Sequence, residues 1–305
     1  MSSRTRRTAA AITLAAAVTA LIPAAANAAS ADSVLNGTRG TSLTISTGAT
    51  YVVMNGTKVN FGVHVRDLAW NPDGSKAAFI DGAGNLEVAN ANGTGRHIVA
   101  VNPGKQTWSH PTWQVAKADR ANQVPAKNNI IFAASKSGVS RLERISATAY
   151  HGTPKTLSLG NYAGEGSTIN PTTGNAWPSG GGGYGTAAYE NTRNGDVYIR
   201  DDYLRQQGGV IAHGSEPALS PSGDEVVFVR SVGGHDHLFV KELIGNAPAK
   251  DITPHATSDY TEPTWSPNGR TIAFRTPTGI DTMAANGTGA PVKVSGYTGL
   301  PAYRG

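Results

Sequence analysis

The sequence predicts an all-β protein: a six-bladed β-propeller whose N- and C-terminal segments share the closing blade. Three observations lead there. A Pro/Gly turn between a hydrophobic residue and an apolar run recurs along the chain, and Asn-Gly-Thr turns recur beside it. The last residues repeat only the first strand of the recurring unit, so that strand needs partners from the other end of the chain. Helical periodicity is scarce, and 37 Gly and 17 Pro in 305 residues require many turns and short strands.

The Pro/Gly turn is seen in "LAWNPDGSKAAFI" (68–80), "TINPTTGNAW" (168–177), "ALSPSGDEVVFV" (218–229) and "TWSPNGRTIAFR" (264–275). Trp70, Ile169, Leu219 and Trp265 precede the turns, and Phe79, Phe228 and Phe274 follow three of them. Gly174 to Gly223 spans 49 residues and Gly223 to Gly269 spans 46. Gly74 to Gly174 spans 100, room for one further copy, which is read at "HPTWQ" (110–114) with an enlarged turn before "NNIIFAAS". Four short strands in 40–50 residues is the size of a propeller blade.

Asn-Gly occurs in "VMNGTKV", "NANGTGRHI" and "AANGTGAPVKV". Between apolar runs it is a strong hairpin signal, because both turn positions take positive φ. Asn36, Asn55, Asn92 and Asn286 also satisfy the Asn-x-Thr sequon, but only the turn reading accounts for Gly in every copy.

Strand-one starts share a template: His110-Pro111-Thr112-Trp113, Glu216-Pro217-Ala218-Leu219 and Glu262-Pro263-Thr264-Trp265. Leu300-Pro301-Ala302-Tyr303 fits it at the end of the chain, and "SLTIST", "TYVVMNG" and "KVNFGVHV" near the start supply three more strands. Closing the ring this way leaves no open sheet edge. The alternatives are an open set of hairpins, a β-sandwich, or a seventh blade in the long region 160–190.

These residues resemble a known family. The W-S-P-D/N-G-x-x-I-A-F pattern looks like the WD40-like PD40 repeat of TolB-type propellers. The resemblance spans residues 50–305 and is strong at 68–80, 216–229 and 262–274, weaker at 110–132 and 165–190. It implies the fold and says little of function. Propellers of the Tol system are periplasmic interaction hubs, so the resemblance implies a binding role. The Ala/Gly/Thr-rich leader resembles the style of a high-GC actinobacterium, a cell with no outer membrane and so no Tol role of that kind.

Residues 1–28 read as a secretory signal peptide, and 29–305 as the propeller domain. Arg4, Arg6 and Arg7 precede an Ala-rich run that ends in Ala26-Asn27-Ala28, a small-x-small cleavage pattern. The run is broken by Pro23 and is too weakly apolar for a membrane anchor. Thr8-Ala9 after the arginine pair favours Sec over twin-arginine export. A secreted or cell-envelope location follows, with no transmembrane segment. Three of the 26 Lys+Arg lie in the leader and none of the 21 Asp+Glu, so the mature part carries 23 against 21, a net of +2. That balance, without a basic run, argues against nucleic-acid binding. The absence of Cys removes disulfides and thiolate metal sites.

No G-x-S-x-G, H-E-x-x-H or Gly-Lys-Ser/Thr motif is present, and no catalytic residue is assigned. The candidate binding residues are His64, His110, His213, Glu216, His255 and Glu262, which lie where each blade enters its inner strand. In a propeller those connections gather at one end of the central channel. His235 and His237 in "GGHDHLF" are a second candidate: two apart on a strand, both face one side, as metal ligands do. A polar hairpin tip is the plainer reading of that stretch. "WPSGGGGYG" (177–185) reads as a long loop between the first two strands of the third blade, with Trp177 and Tyr184 as contact area. "DGAGN" (81–85) lacks the carboxylate spacing of a calcium loop and reads as a turn.

The expectation is therefore a monomeric binding module without a cofactor. Its partner would be an exported protein or peptide, a secreted protease included. A metal-assisted extracellular lyase or lactonase, using the axial His/Glu set and a divalent cation, is the second reading. Carbohydrate or cell-wall binding is the third.

Overall fold

The computed structural model describes residues 34–121, 124–160, 169–200 and 208–305. The expected leader lies outside them. Short alternating runs form 24 strands in the described residues, and these pair into six antiparallel sheets of four.

The first three strands, Leu43–Ser46 (β1), Tyr51–Met54 (β2) and Thr57–Asn60 (β3), belong to the closing blade. Blade one follows with Arg66–Trp70 (β4), Lys76–Ile80 (β5), Leu86–Asn90 (β6) and His97–Ala100 (β7). Blade two is Thr107–Ala116 (β8), Lys127–Lys136 (β9), Val139–Ser146 (β10) and Lys155–Thr156 (β11). Blade three is Asn175–Gly181 (β12), Thr186–Asn191 (β13), Asp196–Arg200 (β14) and Gly208–His213 (β15). Blade four is Ser215–Leu219 (β16), Glu225–Val232 (β17), His235–Glu242 (β18) and Lys250–Asp251 (β19). Blade five is Thr261–Trp265 (β20), Thr271–Thr276 (β21), Gly279–Ala284 (β22) and Val292–Ser295 (β23). The last strand, Leu300–Tyr303 (β24), pairs with β1 in the order β24-β1-β2-β3. The termini thus share the sixth blade as expected, and the described residues hold no seventh sheet.

Packing explains the closure. Each of the six blade interfaces holds its own apolar cluster, as where Trp108 and Phe132 of blade two (centroids 4.9 Å) join Ile80 and Val88 of blade one. Phe79, Phe132, Tyr189, Phe228 and Phe274 occupy equivalent places on the second strands, all fully buried. Burying each such ring is worth roughly 1.5–3 kcal/mol. The inner-strand tryptophans clasp the preceding blade. Trp70 donates to Thr44 Oγ1 at 2.9 Å, Trp113 to the Ala69 carbonyl at 3.0 Å and Trp265 to the Ala218 carbonyl at 2.9 Å. The segment before β1 also pairs with β23, with Gly37 N–H on the Val294 carbonyl at 2.7 Å and Gly296 N–H on the Leu35 carbonyl at 2.9 Å.

The turns sort by chemistry. In blades one, four and five the Gly74, Gly223 and Gly269 amides each donate at 2.9 Å to the residue three before, at φ of 66°, 83° and 69°. Asn55-Gly56 is the two-residue hairpin, with φ of 49° and 76°. The other Asn-Gly-Thr copies differ from expectation. Asn92 and Asn286 stay at negative φ, and each side-chain oxygen accepts the N–H and hydroxyl of the Thr two residues on, both hydroxyls at 2.7 Å. The Asp81 carboxylate likewise caps the Ala83 and Asn85 amides at 2.8 Å, so 81–85 is a turn.

Blade three corrects the sequence reading. The Pro171–Gly174 turn precedes the inner strand instead of following it. Trp177–Gly181 is part of the inner strand β12 and not a loop; only 182–185 connects β12 to β13. Trp177-Pro178-Ser179-Gly180 is this blade's copy of the strand-one template. Its fourth position is Gly because a Cβ on Gly180 would lie 2.2 Å from the Trp113 carbonyl oxygen.

Candidate functional site

The inner strands β4, β8, β12, β16 and β20 each carry a β-bulge at the same place. Ladder partners step by three residues on the inner strand and two on its neighbour, as in Arg66/Ala69 against Ile80/Ala78 and Thr261/Thr264 against Arg275/Ala273. The extra residue sits at positive φ: Asp67 (55°), His110 (48°), Trp177 (50°), Glu216 (50°) and Glu262 (53°). A side chain in that region carries a cost of about 1–3 kcal/mol. Proline follows the bulge in four of the five strands, where its missing N–H takes nothing from the ladder. β24 pairs with β1 without a bulge.

These five residues crown one end of the central channel, here termed the mouth. Below it lies a bore of about 300 Å³, walled by Pro111, Pro178, Pro217, Pro263 and Pro301 and reaching the Pro72, Pro221 and Pro267 turns. His110 and Trp177 themselves line the bore and lie ring on ring at 3.6 Å.

The carboxylates link blade to blade. Asp67 Oδ2 accepts the His110 N–H at 3.2 Å, Glu190 Oε2 the Glu216 N–H at 2.8 Å, and Glu216 Oε2 the Glu262 N–H at 2.6 Å. Each bond holds the bulge of the next blade in its left-handed conformation. Glu190 comes from β13, opposite Ala176 across the bulge. Arg275 holds the equivalent place on β21 and donates to Glu262 Oε1 at 2.8 Å. The other oxygen, Glu262 Oε2, is shielded from solvent and has no partner.

Burial sets the electrostatics. It pushes Glu262 up to about 7 against the Arg275 charge, with Glu216 and Asp67 adding to the rise. Burial also raises Glu216, opposed by the Glu262 N–H, and Glu190, opposed by the Glu216 N–H. His110 is held below the usual imidazole range by burial, with the Asp67 charge opposing.

Of the sequence candidates, His110, Glu216 and Glu262 share the mouth. His64 and His255 are exposed on the interblade connections, and His213 is exposed at the end of β15. His64 Nδ1 meets the Gly48 carbonyl at 2.7 Å, and His213 Nδ1 lies 3.2 Å from Asp196. His235 and His237 are engaged separately, His235 Nδ1 with Asp259 at 3.4 Å and the buried His237 Nδ1 with Asp251 at 2.8 Å. Among the described residues no group of three or more His, Asp or Glu is placed to hold a metal ion. Asp67 and Glu190 are new to the site, and Trp177, expected as contact area on a loop, joins it from the inner strand. Asp67 and Trp177 were legible as the residues aligned with His110, Glu216 and Glu262, whereas Glu190 carries no sequence signal because only the bulge register brings it in.

Solved structures share this arrangement of blades. TolB from Acinetobacter baumannii matches at a TM-score of 0.58 and 16% identity, over 89% of this chain and 65% of that one. A putative TolB from Agrobacterium tumefaciens matches at 0.58 and 15% identity, over 85% of this chain and 89% of that one. The fold is that of the TolB-like six-bladed β-propellers. An oligogalacturonate lyase in complex with manganese is also similar, at 0.50 and 11% identity over 80% of this chain and 69% of that one. At such identities the likeness of a TolB-like propeller to these proteins concerns fold alone. The chain spans just under two thirds of the length of the Acinetobacter protein. No protein-family model matches the sequence, and no curated protein matches it. No helix among the described residues is long and apolar enough to cross a membrane.

Proposed function

We propose that this TolB-like propeller is an exported binding module that holds a protein or peptide segment at the channel mouth. The observation that carries the reading is the set of five left-handed bulges, which places Asp67, His110, Trp177, Glu216 and Glu262 around one proline-walled bore. Strained backbone that recurs at one place in five blades, with three of the bulges fixed by bonds from the blade before, marks a surface held ready in advance. Binding surfaces of this kind sit at loop ends on a rigid scaffold. The Ala26-Asn27-Ala28 pattern supports export, and with it an extracellular partner such as another secreted protein.

Pull-down from culture supernatant tests the reading, with wild type, a Glu216→Ala/Glu262→Ala variant and a His64→Ala rim control. A protein retained by wild type and the control, and lost from the mouth variant, is the expected result. Equal retention by all three contradicts it.

A further inference from the structure

The mouth has a chemical preference that its shape alone does not express. Four carboxylates flank it at and beside the bulges, outside the wall of the bore, and each has one oxygen engaged: Asp67, Glu190 and Glu216 by backbone N–H groups and Glu262 by Arg275. The second oxygens are paired with no protein donor, and that of Glu262 is fully shielded from solvent. Inside a protein an unsatisfied carboxylate oxygen is costly, and a partner that brings a donor relieves the cost. The fixed cations nearby are Arg275, on Glu262, and Arg66, 3.8 Å from Asp67. Carboxylates thus outnumber cations by two.

The bore beneath is more apolar than polar, and small. Its volume of about 300 Å³ suits one or two side chains and not a folded element. At the bulge positions of blades two and three, the stacked His110 and Trp177 rings stand in place of carboxylates. Burial keeps His110 toward its neutral form, so this wall does not repel a cation. An indole face attracts one, and an aliphatic stem packs against it. An anionic segment would face four carboxylates at close range, and a purely apolar one would leave their free oxygens unmet.

We infer that the mouth is built for an extended peptide segment bearing a basic side chain. The Lys or Arg head meets the Glu190 and Glu216 carboxylates, with the Glu262 charge beside them, and its stem lies on Trp177 above the proline-lined bore. The inference rests on the peptide-binding reading and supplies the chemistry of what is bound.

Selection from a random peptide library, displayed on phage and panned at pH 8 on the folded protein, is the test. Enriched sequences sharing a Lys or Arg are the expected result. Replacing that residue by norleucine in a synthetic copy should weaken binding to the wild-type protein at least tenfold. Glu216→Gln/Glu262→Gln should weaken it comparably and His64→Ala should not; the norleucine comparison decides even if the double variant does not fold. Peptides that lose binding on Trp177→Ala yet share no basic residue overturn the inference and leave the peptide-binding reading standing. A library yielding no peptide sensitive to any mouth substitution overturns both.

Discussion

Glu262 makes folding stability depend on pH with a sign opposite to that of an ordinary ion-paired carboxylate. Burial pushes it up to about 7 from its ordinary 4.5, although Arg275 lies 2.8 Å away. Between those values the native state binds more protons than the unfolded chain, so stability falls as pH rises through the window. The contribution is fully present below pH 4.5 and lost above pH 7. Raising a carboxyl this far corresponds to on the order of 3 kcal/mol. The side chain is 12% exposed, so solvent screens little of this. Glu262→Gln removes the titration and keeps a group that accepts from Arg275. Urea unfolding of wild type and variant at pH 5 and pH 8 isolates the effect, since other titrations largely cancel in the difference. The variant should gain about 2–3 kcal/mol on wild type between the two pH values. A difference constant to within about 0.5 kcal/mol would refute the reasoning, because it would mean that Glu262 ionises as freely in the folded protein as in the unfolded chain.

Further outcomes follow from packing and from the leader. Trp265→Ala removes a 6%-exposed ring and its bond to the Ala218 carbonyl, and should cost roughly 3–5 kcal/mol by denaturant unfolding. A loss below about 1 kcal/mol would mean that the interface of blades four and five does not depend on this clasp. Gly180→Ala places a methyl 2.2 Å from the Trp113 oxygen and should cost about 1–3 kcal/mol, whereas Gly183→Ala, with nothing within 4 Å, should be neutral by the same measurement. Mass spectrometry of the exported protein should find an N-terminus at Ala29; an intact leader on the exported chain would contradict the cleavage reading.

The blades were legible because their signals are local. Pro-x-Gly turns and buried Phe79, Phe228 and Phe274 are set by neighbours in sequence, and the last strand's need for partners announced the shared blade. Blade three was misread for a physical reason. Gly180 has no side chain because the Trp113 carbonyl fills its space, so the template lost its aromatic while Pro171–Gly174 imitated the turn. The site was half legible. His110, Glu216 and Glu262 were visible as strand starts, but nothing local marks them as left-handed bulge residues. Glu190 reaches the mouth through a register shift between two strands, which no spacing along the chain encodes. His64, His213 and His255 lie in or beside the connections but not at a bulge, and so remain on the rim.

The central claim is that the mouth is the surface a partner touches. Site-specific photo-crosslinking tests it most directly, with benzoylphenylalanine placed at Trp177 or at Tyr150 in turn. Tyr150, 73% exposed, lies in the β10–β11 connection, which the up-and-down strand order puts on the opposite face. Irradiation in culture supernatant should give one discrete adduct from position 177 and none from position 150. An adduct from position 150 alone, or none from either, would contradict the account.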